Sequence, residues 1–206
     1  MHPNPIFHSD DQATGLAFAR RRGFGVMTVV GPDGLIASHL PFVLEATTLD
    51  AHVPRSNALA RLLRDGPLPA LMIVSGPDAY VSPDWYDADE QVPTWNYVAV
   101  HLLGELAIRP AEDLRGHIED LSAEFEQRLA PKEPWTLDKN SEDGTARLMR
   151  VLVPIRMTVR TVEQTWKLNQ NKTPEQRLRA ADGLEAAGFG HEVPELVRYM
   201  RELPDE

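Results

Sequence analysis

Short apolar runs separated by tight turns are the feature that most constrains this chain. The clearest example is FGVMTVVGPDGLIASHLPFVLE, in which two apolar segments flank GPDG. Pro32 restricts its own φ and Gly34 supplies a permissive corner, so we predict a β-hairpin. Further strands are predicted in TTLDAHV, PALMIVSG, DAYVSPDW and VPTWNYVAVHLLGEL. Strands at such short spacing indicate an antiparallel meander or barrel, so the predicted class is mainly β with peripheral α.

Helical patterns flank these strands. QATGLAFARRR is predicted to be a helix capped by Ser9 or Asp10, and NALARLLRDG a short helix capped by Ser56 or Asn57. Three more helices are predicted in EDLRGHIEDLSAEFEQRL, PEQRLRAADGLEAAG and VPELVRYMREL. The segment PKEPWTLDKNSEDG is predicted to be a polar loop, and the strand that follows, VLVPIRMTVRTVEQTWKL, is expected to be interrupted near Pro154.

The bulk composition restricts organisation and location. With 206 residues, of which 42% are hydrophobic, the chain is expected to form a single domain over 1–206, with a C-terminal helical extension from about 174–206. A net charge of -10 repels nucleic-acid backbones and argues against direct DNA binding. Cysteine is absent, which excludes disulfides and thiolate chemistry. No long apolar run or secretory pattern is present, so we expect a cytoplasmic protein without a membrane span.

The strand VPTWNYVAVHLLGEL carries unusually large polar and aromatic side chains. Trp95 and Tyr97 share one face of the predicted strand, whereas Asn96 lies on the other. One interpretation is a central strand whose aromatic residues belong to the core or to a dimer interface. The other is a stacking surface for a planar ligand, because Trp and Tyr offer apolar faces with polar tips. The periodicity alone does not decide between them.

Three segments together resemble a known family. AYVSPDWY, VPTWNYVAVH and WKLNQNK are similar to the PaiB family of FMN-binding negative transcriptional regulators. The resemblance covers nearly the whole chain and implies a split β-barrel of the FMN-binding type, with FMN as cofactor. A further segment, HVPRSNA, keeps His52, Arg55 and Asn57 of the family pattern but moves its proline, and the resemblance implies that these three residues bind the cofactor. In QTWKLNQN, Gln164 and Thr165 replace a Gly-Lys pair, which removes a cation that could meet a phosphate.

The resemblance implies a phosphate site at the strand-to-helix corner. Arg55, Ser56 and Asn57 lie there, where a guanidinium and the amides of a helix start would suit a phosphate monoester. From the residues alone, Arg55 is equally an ordinary surface residue and Ser56 an ordinary cap. Thr28, Ser38 and His39 of the first hairpin are the implied contacts to the edge of the flavin ring.

Other cofactors are less well supported by the pattern. His39, His52 and His101 lack the H-x-H or H-E-x-x-H spacing of metal sites, so no metal is expected. Related split barrels include haem-binding proteins, yet no feature of this sequence singles out an axial histidine.

The remaining flavin contacts are predicted on two segments. We expect the central-strand residues Trp95, Asn96 and Tyr97 to face the flavin, and the residues of WKLNQNK to approach it in a site shared across a homodimer. The residues of WKLNQNK that we expect to contact the flavin are Lys167, Gln170 and Asn171. Alternatively, WKLNQNK is a capped loop before the helix at Pro174.

Two functions of different classes remain open. The first is a flavin-binding regulator or sensor that acts in transcriptional repression, which the acidic charge suggests is indirect. The second is an FMN-dependent oxidoreductase of the same fold, in which the flavin supplies the chemistry. The sequence shows no evident acid-base pair for a flavin reaction, which favours the regulator.

Overall fold

An antiparallel sheet of seven strands organises the computed structural model, which describes residues 1–203. The strands are β1 Phe24–Gly31, β2 Gly34–Glu45, β3 Thr48–Pro54, β4 Leu68–Val81, β5 Thr94–Ile108, β6 Leu152–Lys167 and β7 Gly190–His191. Their order is β1-β2-β3-β6-β5-β4-β7, with an additional pairing between β1 and β4. Because β1 pairs with both β2 and β4, six strands close into a ring. The predicted β-barrel is therefore confirmed.

Six α-helices accompany the sheet within residues 1–203. They are α1 Gln12–Arg22, α2 Ala58–Leu62, α3 Leu114–Glu126, α4 Glu142–Val151, α5 Pro174–Ala187 and α6 Val193–Glu202. Five of the six were predicted, and α4 was not. Over the described part of the chain, no helix combines the length and apolar character needed to cross a bilayer. Residues 204–206 of the predicted C-terminal extension lie outside the described residues.

The chain forms two compact units. The first unit comprises 1–15, 75–101 and the chain from 163 onward, and the second comprises 16–74 and 102–162. Tyr86, Leu184 and Met200 belong to the core of the first unit, whereas Met27 and Phe42 belong to the core of the second. That the whole chain folds as one domain stays a prediction.

Two predicted strand breaks are wrong. PALMIVSG and DAYVSPDW form one strand, β4, which passes through Pro77. Pairing with β1 ends at Ile73 and pairing with β7 begins at Asp78, so the missing amide hydrogen of Pro77 falls between the two paired stretches. β6 also continues through Pro154, whose carbonyl accepts from the N–H of Arg109 at 2.9 Å, just beyond the end of β5.

Helix α4 begins inside the segment that was predicted to be a polar loop. Ser141 caps this helix by accepting from the N–H of Gly144 at 3.2 Å, and Glu142 and Asp143 occupy its first turn. Acidic residues there interact favourably with the helix dipole. The predicted polar loop ends in SEDG, although Ser followed by two acidic residues is also typical of a helix start.

The predicted caps are partly confirmed. Asn57 caps α2, as one of the two alternatives proposed. At the start of α5, Thr173 forms a capping box with Gln176, which was not predicted. At α1 the prediction of Ser9 or Asp10 is wrong. Asp11 caps the helix instead, since its side chain accepts from the N–H of Ala13, two residues further along the chain, at 3.1 Å.

Candidate functional site

The corner between β3 and α2 is built around the side chain of Asn57. Its Oδ1 accepts from the N–H of Leu59 at 2.9 Å, and its Nδ2 donates to the hydroxyl of Ser38 at 3.2 Å. Asn57 therefore caps the helix and ties the corner to β2 of the first hairpin. We call Ser38 and 55–57 together the Arg55 corner.

Arg55 is anchored to the end of α4 from two sides. Its N–H donates to the carbonyl of Val151 at 2.8 Å, and its Nε donates to the carbonyl of Arg150 at 2.6 Å. Within residues 1–203, Nη1 and Nη2 of Arg55 have no protein partner. The guanidinium is thus oriented by the chain while its two terminal groups remain available to a ligand.

A second cation lies at the same corner. Arg61, one helical turn into α2, folds back so that its Nη1 donates to the carbonyl of Ser56 at 2.6 Å. Among the described residues, neither Arg61 nor Arg55 forms an ion pair with a carboxylate. The corner therefore concentrates uncompensated positive charge in a chain whose net charge is -10.

The helix start itself contributes less than the sequence suggests. We expected unpaired amides at the N-terminus of α2, but the side chain of Asn57 already occupies the N–H of Leu59. α2 is also only five residues long, so its dipole is small. Any anion at this corner depends mainly on the guanidinium groups and the exposed hydroxyl of Ser56.

The three predicted hairpin contacts do not share one face. Thr28 pairs with Ala37 and Val26 pairs with His39, whereas Ser38 pairs with the fully buried Met27. Directly opposed residues of an antiparallel pair point to the same side. Ser38 therefore belongs to the Arg55 corner, and Thr28 and His39 lie on the opposite face of the hairpin.

His52 faces α3. Its Nδ1 lies 3.1 Å from Nε2 of His117, which is 3% exposed. The two rings meet edge to face, with centroids 5.3 Å apart. His52 belongs to this buried pair in the structure, and its contact with FMN stays a prediction. No group of three or more metal-ligating side chains occurs within residues 1–203.

Burial depresses the pKa of both histidines. It lowers the pKa of His52, and it lowers the pKa of His117 to about 4, with the charge of His52 acting in the same direction. Arg109 and Arg156 lower the pKa of His117 further, whereas Asp50 opposes them. Asp50 in turn accepts a bidentate bond from Arg156, both at 2.7 Å, and pairs with Arg109 at 3.1 Å.

The central strand β5 divides its predicted ligand residues between two faces. Trp95 is 46% exposed and lies in an aromatic cluster, with ring centroids 6.3 Å from Tyr80 and 6.2 Å from Phe189. Asn96 is fully buried on the other face, where its Nδ2 donates to the sulfur of Met200. Trp95 and Tyr97 can thus present one surface that excludes Asn96. Their contact with the flavin stays a prediction.

The segment WKLNQNK closes on itself. Gln170 accepts from the N–H of Leu168 at 2.8 Å and donates to the carbonyl of Trp166. Lys167 donates to the hydroxyl of Thr94 in the same chain, and burial lowers the pKa of its ammonium. Asn171 is exposed. These contacts give the segment a local structural role, and the roles of Lys167, Gln170 and Asn171 at a flavin remain predictions.

One buried contact joins two of the sequence segments on which the family resemblance rests. The hydroxyl of Tyr86 donates to Oδ1 of Asn169 at 3.3 Å, and the ammonium of Lys172 lies 4.8 Å from the centre of the Tyr86 ring. Nδ2 of Asn169 is buried without a protein partner. Asn169 also adopts a positive φ of 67°, which asparagine tolerates better than most residues.

The donor set at the Arg55 corner fits the phosphate of FMN. Two guanidinium groups without carboxylate partners and a serine hydroxyl are donors that a phosphate monoester accepts from. Arginine offers the paired N–H geometry that matches two phosphate oxygens.

Comparison with known proteins identifies the family of the chain. Residues 1–161 match a family model described as "Putative FMN-binding domain". The chain belongs to this FMN-binding family. Its cofactor is FMN, and the resemblance to the PaiB type is confirmed by a Bacillus subtilis relative, protease synthase and sporulation protein PAI 2. That protein is 25% identical over 172 residues, which cover 82% of this chain and 81% of the relative.

Solved structures support the fold of this FMN-binding domain. The FAD and haem binding protein of Mycobacterium smegmatis aligns with a TM-score of 0.59 and 14% identity, over 90% of this chain and 82% of that one. The flavocytochrome Anf3 of Azotobacter vinelandii aligns with a TM-score of 0.54 and 13% identity, over 81% and 72% of the two chains. At such identities the likeness shows the fold alone.

Three residues at these sites, Arg61, Asn169 and His117, were not identified from the sequence. Arg61 lies on the predicted helix NALARLLRDG, where its spacing of six from Arg55 gave a signal that both could serve one corner. Asn169 lies inside a recognised segment, but its neighbours were chosen as ligands. His117 gave no signal, because its partner is 65 residues away.

The buried histidine pair predicts a pH-dependent stability. Because the pKa of His117 is depressed from 6.5 to about 4 in the folded chain, the unfolded chain takes up the proton first. The resulting stability is complete above about pH 6.5 and is lost as the pH falls towards 4, by up to about 3 kcal/mol. Urea unfolding at a series of pH values measures this effect. Over this pH range, the free energy of unfolding should fall less for the His117→Gln variant than for the wild type.

The matched control is His191→Gln, which changes an exposed histidine and should leave the wild-type slope intact. Parallel pH profiles for the wild type and His117→Gln between pH 7 and 4 would contradict the assignment.

Proposed function

We propose that this chain is a flavin-binding regulator or sensor of the PaiB type, which holds the phosphate of FMN at the Arg55 corner. The observation that carries the proposal is the absence, within residues 1–203, of any carboxylate partner for Arg55 or Arg61. By contrast, Arg109 forms ion pairs with Asp50 and Asp113, and Arg156 forms one with Asp50. Positive charge without a counter-ion in an acidic chain favours an anionic ligand.

Screening of charges by salt explains how a protein with a net negative charge can bind this anion. At physiological ionic strength, charges farther away than about 8 Å are largely screened. A phosphate monoester carries about -1.5 to -2 charges at pH 7. A single phosphate at the corner therefore interacts mainly with the two guanidinium groups, whereas a DNA backbone would also meet the acidic surface. The acidic surface therefore favours indirect repression over direct DNA binding.

The residues of the corner have separable roles. Arg55 supplies two terminal amino groups, and its anchors on Arg150 and Val151 pre-organise them. Asn57 holds the corner against β2 through Ser38, and Ser56 adds a hydroxyl donor. When bound, FMN supplies a ring that can accept and release electrons.

The groups of the Arg55 corner are suited to binding an anion and not to proton transfer. Within the described part of the chain, the hydrogen-bond partners of Arg55, Arg61, Asn57 and Ser38 are side-chain hydroxyl and amide groups and backbone atoms. None of these groups exchanges a proton near neutral pH. The corner can therefore bind a phosphate, but it supplies no acid or base for a reaction.

We further propose that the protein acts as a cytoplasmic homodimer. Phe24, Val30 and Leu35 on the β1–β2 hairpin are 53%, 73% and 77% exposed. Val30 and Leu35 are directly opposed across the hairpin, so they form a shared apolar surface. Burial of such a surface against a second copy would remove it from water.

The phosphate assignment predicts a ligand-specific loss of affinity. Arg55→Ala should weaken FMN binding by about 1.5–3 kcal/mol, the range for a hydrogen bond to a charged group. Riboflavin, which lacks the phosphate, should lose little affinity. Titration followed by flavin fluorescence measures both ligands. Arg160→Ala, which removes an exposed arginine paired with Glu105, is the control.

Unchanged FMN affinity in Arg55→Ala would refute the assignment. An equal loss for riboflavin would also refute it, because the effect would then not involve the phosphate.

The regulatory function predicts slow flavin turnover. Under aerobic conditions with excess NADH or NADPH, the FMN-loaded protein should oxidise the nicotinamide no faster than the same concentration of free FMN. Loss of absorbance at the nicotinamide band measures the rate. A rate about tenfold or more above free FMN, about 1.4 kcal/mol of barrier, would instead identify the oxidoreductase alternative.

A further inference from the structure

Arg55 also caps the C-terminal end of α4. The last carbonyls of a helix have no partner within the helix and need donors from elsewhere. At this end the N–H of Leu152 donates to the carbonyl of Met149, and Arg55 donates to both of the next two carbonyls, those of Arg150 and Val151. A guanidinium here also interacts favourably with the negative end of the helix dipole. The residue proposed to bind phosphate is thus part of the structure of α4.

Packing holds α4 only weakly. Among the ten residues of Glu142–Val151, the structure buries one, Thr145. Leu148 and Val151, two of its apolar side chains, are 49% and 55% exposed. A helix with few buried contacts opens locally at a lower cost in free energy than the core does. The hydrogen bonds from Arg55 are therefore important for fixing the end of α4.

One guanidinium can hold α4 and a phosphate at the same time. All of its N–H donors lie in one planar fork. Nε of Arg55 faces the carbonyl of Arg150, which leaves the end formed by Nη1 and Nη2 for two oxygens of a phosphate. A phosphate bound there fixes the side-chain torsions of Arg55, and the same torsions direct Nε towards α4. The two contacts therefore share a single loss of side-chain entropy, so each favours the other.

A second effect of the phosphate acts in the opposite direction and is weaker. The phosphate offsets part of the charge of Arg55, which reduces the attraction of that charge to the negative end of α4. This attraction is small at an exposed helix end and is screened by salt. By contrast, ordering an arginine side chain carries one of the largest entropy costs of any side chain. The ordering effect therefore prevails.

We propose that the phosphate of FMN and helix α4 stabilise each other through Arg55. This coupling rests on the phosphate site proposed above, and it makes α4 the element whose order responds to the ligand. Coupling between two sites is reciprocal, so FMN stabilises α4 by the same factor by which an intact α4 tightens FMN binding. Riboflavin, which lacks the phosphate, does not couple to α4.

Amide hydrogen exchange of the full wild-type chain measures the coupling. With saturating FMN, the amides of α4 should exchange at least about fivefold more slowly than with saturating riboflavin, the low end of typical couplings between sites. Helix α3, which belongs to the same unit, is the control and should exchange equally with both ligands. Equal or faster exchange of α4 with FMN would overturn the proposal. Equal slowing of α3 would also overturn it, because the effect would then be a general stabilisation.

An Arg55→Lys variant tests whether the guanidinium carries the coupling. An ammonium keeps the charge for the phosphate but lacks the planar fork that holds two partners in fixed directions. At saturating FMN, the exchange of α4 in this variant should differ from that with riboflavin by less than about twofold. A difference as large as in the wild type would overturn the proposal.

The reciprocal effect is measured with a helix-breaking variant. Ala146 is exposed in the interior of α4, where proline removes a helical hydrogen bond and clashes with the preceding turn. Ala146→Pro should weaken FMN at least about fivefold and riboflavin less than about twofold. Ala146→Gln, the matched control, keeps a good helix former and should change both affinities less than about twofold. Unchanged FMN affinity in Ala146→Pro, or an equal loss for riboflavin, would overturn the proposal.

The coupling and the phosphate site fail in different ways. If Arg55→Ala weakens FMN but not riboflavin, while wild-type α4 exchanges equally with both ligands, the phosphate site stands and the coupling is wrong. If Arg55→Ala leaves FMN affinity unchanged, the phosphate site itself is wrong. The exchange measurement uses the wild type, so it decides the coupling even where Ala146→Pro does not fold.

Discussion

Closure of the sheet by β1 and β4 is the constraint on which the rest of the structure depends. Val26–Val29 pair with Ala70–Ile73, so β1 is hydrogen-bonded on both sides and cannot act as a free edge. Gly25 permits this approach, because a Cβ there would lie 2.6 Å from the carbonyl oxygen of Ile73 and 2.8 Å from the sulfur of Met72. Backbone atoms cannot yield as a flexible side chain can.

The Arg55 corner follows from that closure through its neighbours. β2 is held against β1 along eight paired positions, which include Met27 with Ser38. The hydroxyl of Ser38 then accepts a hydrogen bond from the side-chain amide of Asn57, and Asn57 caps α2. The positions of the proposed phosphate-binding groups thus depend on a series of hydrogen bonds that begins at the barrel. Because Arg55 is anchored only through backbone carbonyls within residues 1–203, its charge remains available to a ligand.

Local patterns predicted much of the fold, and long-range contacts account for the errors. The GPDG hairpin and the start of α5 at Pro174 were predictable, because adjacent residues determine them. The continuity of β4 through Pro77 was not, since it depends on which strands pair on either side of the proline. At the site, Arg55 and Asn57 could be selected from the sequence. That Thr28 and Ser38 lie on opposite faces of the hairpin could not be predicted, because it follows from the register between β1 and β2.

The central claim is that the phosphate of FMN lies between uncompensated guanidinium groups, and phosphorus NMR of the FMN-saturated protein tests it most directly. A free phosphate monoester loses its second proton, and so becomes a dianion, with a pKa of about 6. Guanidinium contacts favour the dianion and lower that pKa. The account predicts a phosphorus resonance of the bound FMN that is constant between about pH 7.5 and 5.5. A bound resonance that titrates near pH 6, as free FMN does, would contradict it.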